Sequence, residues 1–343
     1  MRALLSLWDK TGLVELAGAL HELGWELVAS GGTAVVLGEA GLPVTTVESV
    51  TGSPEMLGGR VKTLHPSIHG GILADRSEPE HLADLEAQGI GAIDLVVCNL
   101  YPFVARPSIE TIDVGGPTMV RAAAKNHAHV GVVVDPADYP AVVDELRSAG
   151  ALSDGTRQRL ARAAFAHTAA YDSAIASWLT GDTGLPPTIH LALERAGELR
   201  YGENPHQAAA RYRQAGGADF WDSVRQHGGM ELSYLNVVDA DAAWRLAHDL
   251  GDRPGRSGHA GRPAAAIIKH ANPCGAAIAT TLADAYERAF ECDERSAFGG
   301  IVALSQAVDR ATVERMVAAA QADVVIAPGY TPGTIEALQA KRK

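Results

Sequence analysis

Five short apolar runs, at 3–8, 25–29, 42–47, 94–99 and 130–134, alternate with segments of helical periodicity. The first of those segments shows the period plainly, with Leu13, Leu16, Ala17 and Leu20 on one face and a stop near Gly24. Strands alternating with helices imply a doubly wound parallel sheet, an α/β fold with flanking helices. In such a sheet ligands sit outside the carboxyl ends of the strands. Ser30, Asn99 and Tyr101 lie just past such ends. The run at 25–29 passes directly into Ser30-Gly31-Gly32-Thr33 and a helix over 34–40. Strand, glycine turn and helix together point backbone N–H groups at a phosphate. The turn is neither a Walker motif nor a GxGxxG, and it also fits a plain strand-to-helix turn with a hydroxyl cap.

The stretch 57–71 holds Arg60 and Lys62, two histidines, four glycines and one proline. Glycine and proline destabilise helix interiors, so it reads as a loop. Its backbone would approach something closely, with Arg60 and Lys62 holding an anion. A solvated turn with two surface cations fits the same residues. His65 reads as a core or supporting histidine, with His65-Pro66 fixing the loop's exit. Asp113-Val114-Gly115-Gly116-Pro117-Thr118 is a second glycine turn, opening a helix over 119–125 that ends at Lys125. Ser30, Gly31, Gly32, Thr33, Arg60, Lys62, Thr63, Asn99, Tyr101, Asp113, Gly115, Gly116 and Lys125 form a first candidate site. Cations beside a glycine nest suit a phosphorylated small molecule. Tyr101, Asp113 and Lys125 offer a proton-transfer set and an oxyanion stabiliser.

Helices are expected over 137–149 and 154–179. Residues 180–187 are rich in glycine, proline, aspartate and threonine and mark a boundary. The expected organisation is a first domain over 1–150, a helical linker over 151–187 and a second domain over 188–343. In the latter, a polar, turn-rich stretch over 199–207 carries Arg200, Tyr201 and His206. Residues 230–238 lead into a helix near 241–250, and 252–262 form a glycine-rich basic loop. A strand over 264–268 ends in Lys269-His270. Strands over 301–304 and 323–327 alternate with helices over 282–290, 310–321 and 334–340. A neutral histidine can take a proton while a neighbouring lysine holds developing negative charge. Lys269-His270 is thus a second candidate site, and a solvated strand end fits the pair as well.

The chain has 343 residues and a net charge of -12, which argues against a general binder of nucleic acid or anionic membrane. Cys98, Cys274 and Cys292 have no zinc spacing and the histidines no HExxH spacing, so no metal site is expected. Cys98 reads as a buried small hydrophobe. No apolar stretch reaches membrane-spanning length and the N-terminal run is too short for a signal peptide; a cytoplasmic protein is expected.

A set of motifs in one order carries a resemblance. They are Asp9-Lys10-Thr11-Gly12, Ser30-Gly31-Gly32-Thr33-Ala34, the run 54–66, Cys98-Asn99-Leu100-Tyr101-Pro102-Phe103, Ile112-Asp113-Val114-Gly115-Gly116 and the run 121–127. The runs 199–207, 296–304 and 326–330 and the pair Lys269-His270 follow. With these the chain resembles the bifunctional enzymes of the last two steps of purine biosynthesis, AICAR transformylase joined to IMP cyclohydrolase. The resemblance implies a methylglyoxal-synthase-like first domain that closes FAICAR to IMP with loss of water. Ser6, Ser30, Gly31, Gly32, Thr33, Arg60, Thr63, Asn99, Gly115 and Gly116 would hold the nucleotide. Lys62, Tyr101, Asp113 and Lys125 would be catalytic, and which moves which proton stays open. It implies a cytidine-deaminase-like second region without zinc, in which AICAR takes a formyl group from formyl-tetrahydrofolate. There His270 would accept the amine proton and Lys269 would assist. Arg200, Tyr201, His206 and Asp323 would line that site, and a homodimer would form it.

Trp8 stands where members often carry a small polar residue. Members also continue into a second deaminase-like unit, so a complete cyclohydrolase site and an incomplete transformylase site are expected. A cyclohydrolase alone, a non-catalytic nucleotide-sensing module and a methylglyoxal synthase acting on a triose phosphate remain alternatives. Tyr101, Asp113 and Lys125 weigh against the second, and Lys269-His270 has no place in the third.

Overall fold

The computed structural model describes residues 1–181, 184–252, 261–319 and 321–340. The glycine-rich basic loop expected over 252–262 therefore falls, at 253–260, outside the described residues. The chain divides into two compact units, Met1–Ala192 and Leu193–Lys343.

The first unit runs β1 (Arg2–Ser6), α1 (Leu13–Glu22), β2 (Glu26–Ala29), α2 (Gly31–Glu39), β3 (Thr45–Thr46), α3 (Val47–Thr51), α4 (Pro66–Leu73), α5 (Pro79–Ala87), β4 (Leu95–Cys98), α6 (Gly115–Lys125), β5 (Gly131–Val133), α7 (Tyr139–Ala149) and α8 (Asp154–Thr180). Its strands are parallel throughout and lie in the order β3-β2-β1-β4-β5. The order progresses outward from β1 on one side and from β4 on the other, so the switch point lies between them. Leu4, Val28, Val96 and Val132 are fully buried at the sheet's centre. Both faces are covered, which is why β4 reads as a continuous apolar run rather than an alternating one.

Three readings change. The stretch 57–71 is a loop only as far as His65; α4 begins at Pro66. Proline suits the first helical turn, where its missing N–H has no partner anyway. His65 caps the helix, its Nδ1 accepting from the Ser67 N–H at 3.2 Å. Gly71 sits in this helix because a Cβ there would stand 2.6 Å from the Gly91 carbonyl oxygen. The run at 42–47 shrinks to the two-residue β3, since α3 starts at Val47 with Thr46 as its cap. The segment expected as a helical linker is part of the first unit. The 27 residues of α8 bury Leu160, Ala161, Ala164 and Tyr171 in the core built on the parallel sheet.

The second unit runs β6 (Leu193–Leu199), β7 (Ala209–Gln214), α9 (Tyr234–Asp252), β8 (Ala264–Lys269), β9 (Asn272–Ile278), α10 (Leu282–Glu291), α11 (Glu294–Ala297), β10 (Ile301–Leu304), α12 (Arg310–Ala318), β11 (Val324–Ile326) and α13 (Thr334–Ala340). β6 and β7 form a separate two-stranded ribbon. The main sheet has the order β11-β10-β8-β9, antiparallel except for β10 with β11. Side chains of β8 alternate between faces. Ala265 and Ile267 join the core under α10 and α12, while Ala266 and Ile268 pack with Ala240, Ala243 and Ala247 of α9. Residues 272–275 belong to β9. Pro273 is tolerated because β9 is an edge strand.

Candidate active site

A cavity of about 690 Å³ opens at the carboxyl ends of β1, β2 and β4, over the switch point. Its floor is set by short contacts between these strand ends. Ser6 Oγ lies 3.3 Å from Ser30 Oγ. Thr33 Oγ1 accepts from the Leu7 N–H at 3.1 Å and donates to the Leu7 carbonyl at 3.2 Å. Asn99 bridges across the switch point: its Oδ1 accepts from the Trp8 and Asp9 N–H groups at 2.6 and 3.0 Å, and its Nδ2 donates to the Asp9 carbonyl at 2.8 Å. Asn99 thus spends its amide on the β1 loop.

Ser30 precedes α2 in extended conformation, and Gly31 enters the helix at φ +46°. The first N–H groups of a helix lack intrahelical acceptors, so this end of α2 presents donors and partial positive charge. Lys62 reinforces it, since a Cβ on Gly31 would stand 3.1 Å from Lys62 Nζ. Nζ in turn lies 2.8 Å from Glu55 Oε2. The 56–61 turn between Glu55 and Lys62 closes with a bridge between Met56 and Val61, and Leu57, Gly58 and Gly59 all take positive φ inside it. Gly59 leaves space for its neighbours: a Cβ there would meet Glu55 Oε1 at 2.6 Å and Lys62 Cε at 2.9 Å. Arg60 pairs with Glu110 in solvent at the rim.

The opposite wall is the turn into α6. Asp113 Oδ1 accepts from the Gly116 N–H at 2.8 Å. A Cβ on Gly116 would lie 2.5 Å from Asp113 Oδ2 and 2.7 Å from Leu100 Cδ2, so only glycine admits the carboxyl here. Burial raises the Asp113 carboxyl above its ordinary value, opposed by hydrogen bonds from the Gly116 and Tyr101 N–H groups. Thr63 and Gly115 meet beside it, with 3.1 Å from Thr63 Oγ1 to the place a Gly115 Cβ would take. Tyr101 lines the same space, its ring 5.3 Å from that of Trp8 and edge-on to it.

The cavity gathers every residue expected for the first site except Lys125. Lys125 ends α6 and is exposed, roughly 15 Å along the axis from Gly115 at 1.5 Å per residue. Lys10 was missed by the sequence reading. Its ammonium donates to the Leu7 and Trp8 carbonyls, lines the cavity and is lowered by burial against the pull of Asp9. Its place beside Trp8 in a short turn after β1 was the available signal. Cys98 is buried, and burial pushes its thiol far up, leaving it unreactive.

In the second unit, Lys269 ends β8, and His270 and Ala271 form the two-residue turn into β9. Both turn residues have positive φ, +54° and +59°. The buried carboxylate of Asp239, on α9, accepts from both of their N–H groups, at 3.0 Å from His270 and 2.7 Å from Ala271. This leaves the His270 side chain exposed. Lys269 Nζ donates to the Phe298 carbonyl at 2.8 Å, and the Asp323 N–H donates to the Gly300 carbonyl at 3.0 Å. Lys269 and Asp323 therefore flank one end of the sheet. Arg200 stacks on its neighbour Tyr201, Cζ 4.7 Å from the ring centroid, while His206 is exposed. A cavity of about 410 Å³ in this unit is lined by Asp323 among aromatic residues including Trp221, Trp244 and Tyr330. Lys269, His270, Arg200, Tyr201 and His206 lie outside it. Among the described residues no cluster of histidine, cysteine and carboxylate side chains is placed to hold a metal ion, and no helix is long and apolar enough to cross a membrane.

Two stretches of the chain match known families. Residues 12–127 match the MGS-like domain. A solved structure described as "Crystal structure of ForH" is 40% identical, covering 52% of this chain and 98% of its own, with a TM-score of 0.49. Residues 123–343 match the AICARFT/IMPCHase bienzyme family. With this match over more than half its length, the chain belongs to the AICARFT/IMPCHase bienzyme family.

Proposed function

We propose that the first unit is an IMP cyclohydrolase that closes FAICAR to IMP. The observation that carries this reading is that one cavity has an anion-holding wall and a proton-handling wall. The α2 N-terminus and Lys62 take the nucleotide phosphate. Asp113 and Tyr101 face the reacting end. The carboxamide nitrogen attacks the formyl carbon, and the C=O pair moves onto oxygen. That nitrogen loses one proton and the oxygen gains one. The hydroxyl then leaves as water with the formamido N–H proton, and the nitrogen's electron pair forms the ring C=N. Asp113, whose carboxyl is raised by burial, accepts the amide proton and returns it to oxygen. The Tyr101 phenol steadies the charge on that oxygen. Lys125 has no part in this assignment, because it lies outside the cavity.

The test is conversion of FAICAR to IMP followed by absorbance. Asp113→Asn should lower kcat on the order of 100-fold or more. Lys62→Ala should raise KM roughly tenfold to 100-fold, the loss of a charged hydrogen bond. Unchanged rates in both variants remove the site. Product binding without turnover favours a nucleotide sensor.

We also propose that the second unit contributes to formyl transfer from formyl-tetrahydrofolate to AICAR, within a homodimer. The supporting observation is His270 held outward on a turn of positive φ, beside Lys269. Formylation of AICAR that survives His270→Ala removes His270 from the assignment, and its absence from a protein closing FAICAR at full rate leaves cyclohydrolase as the sole activity.

A further inference from the structure

The two proton-handling residues of the first cavity stand on different loops, and one side chain of α8 touches both loops. The Tyr171 hydroxyl donates to the Thr111 carbonyl at 2.7 Å and accepts from the Asp113 N–H at 2.9 Å. Its ring lies edge-on to Phe103, with centroids 6.1 Å apart. Phe103 is buried, and its N–H donates to the Tyr101 carbonyl at 2.8 Å. Trp178, two helical turns further along α8, packs against the same Phe103 ring at 5.6 Å. Tyr171 is 7% exposed and lines no part of the cavity.

The geometry points to Tyr171 as a positioning residue that sets Asp113 against Tyr101, an inference resting on the cyclohydrolase reading. A single 3-10 turn ends at Thr111 and residues 112–113 carry no regular secondary structure, so the Thr111 carbonyl and the Asp113 N–H need partners from elsewhere. The phenol supplies one acceptor and one donor at once. That fixes the peptide preceding Asp113 and aims its carboxyl at the Gly116 N–H. Phe103 transmits the same anchor to the Tyr101 loop. A helix in the place of a connector thereby becomes a support for the site.

Tyr171→Phe keeps the ring packing and removes both hydrogen bonds. Loss of orientation at the reacting centre should lower kcat on the order of 10- to 100-fold, with KM for FAICAR within about threefold of the parent. The acid limb of the kcat profile should move to higher pH, because a displaced Asp113 loses the Gly116 N–H bond that lowers its pKa. Asp113 titration, followed by carboxyl-carbon NMR in both proteins, should show the same upward shift. A parent-like kcat and acid limb would overturn the inference. So would an unchanged Asp113 titration, even if neither protein made IMP. Failure of the parent to make IMP, by contrast, sinks the cyclohydrolase reading.

Discussion

At the end of β2 the chain turns through Ser30, Gly31 and Gly32; at the end of β8 it turns through His270 and Ala271. Both turns use positive φ, but with opposite residues. Gly31 has no side chain at φ +46°, so the helix N–H groups face the cavity and Lys62 closes in. His270 and Ala271 keep their side chains at φ near +55°, where an L-residue bears roughly 1–2 kcal/mol of steric strain. A turn of this kind ordinarily takes Asn-Gly or Gly-Gly. The strained choice persists here because the Asp239 carboxylate gathers both N–H groups. The first turn offers backbone; the second offers an imidazole. Parallel strands bring the first unit's groups to one cavity within a single chain. Lys269 and His270 remain outside the cavity of their own unit.

The comparison can be broken at Asp239 first. Asp239→Ala removes two hydrogen bonds from turn N–H groups to a charged acceptor, at about 1.5–3 kcal/mol each. The second unit should melt several degrees lower and the first unit unchanged; equal loss in both would show that Asp239 does not act on the turn. Gly31→Ala should cost about 1–2 kcal/mol of strain and raise the KM for FAICAR, since the new methyl group presses on Lys62 Nζ. Ala271→Gly works in the reverse direction and should stabilise the second unit by up to about 1 kcal/mol, or roughly 2–4 °C in melting temperature. A fall instead would mean the turn is not strained.

The smallest expected effect is a slope. Asp113 has its pKa raised by burial, so the folded state holds the proton more tightly than the unfolded one. Stability is therefore fully present below the ordinary carboxylate value of 3.8 and declines as pH rises from there through the raised value. Urea midpoints of the first unit between pH 4 and pH 7 should show this decline, and Asp113→Asn should flatten it. A parallel slope in both proteins would assign the titration to another group.

Much of the first site was legible because its signals are local. The strand, the glycine turn and the helix over 25–40 are contiguous, and their physics is complete within that stretch. Lys125, expected in the first site, lies outside the cavity because its Cα sits ten residues along α6 from Gly115, and helical rise carries it away. By composition the 57–71 stretch reads as loop throughout, since glycine destabilises helix interiors. Gly71 is helical since a neighbouring backbone comes too close for any Cβ. That contact is not written in the residues themselves.

By itself the sequence determined the α/β alternation, the parallel sheet of the first unit and the residues that crowd its strand ends. Apolar periodicity and turn chemistry act over a few residues, so they survive without tertiary information. Only the tertiary structure decided which of those residues share a cavity, that α8 serves the first unit and that Asp239 holds the His270 turn from 31 positions away. These outcomes depend on strand order and on which backbone groups lack partners after the sheet has formed, and both are properties of the packed chain.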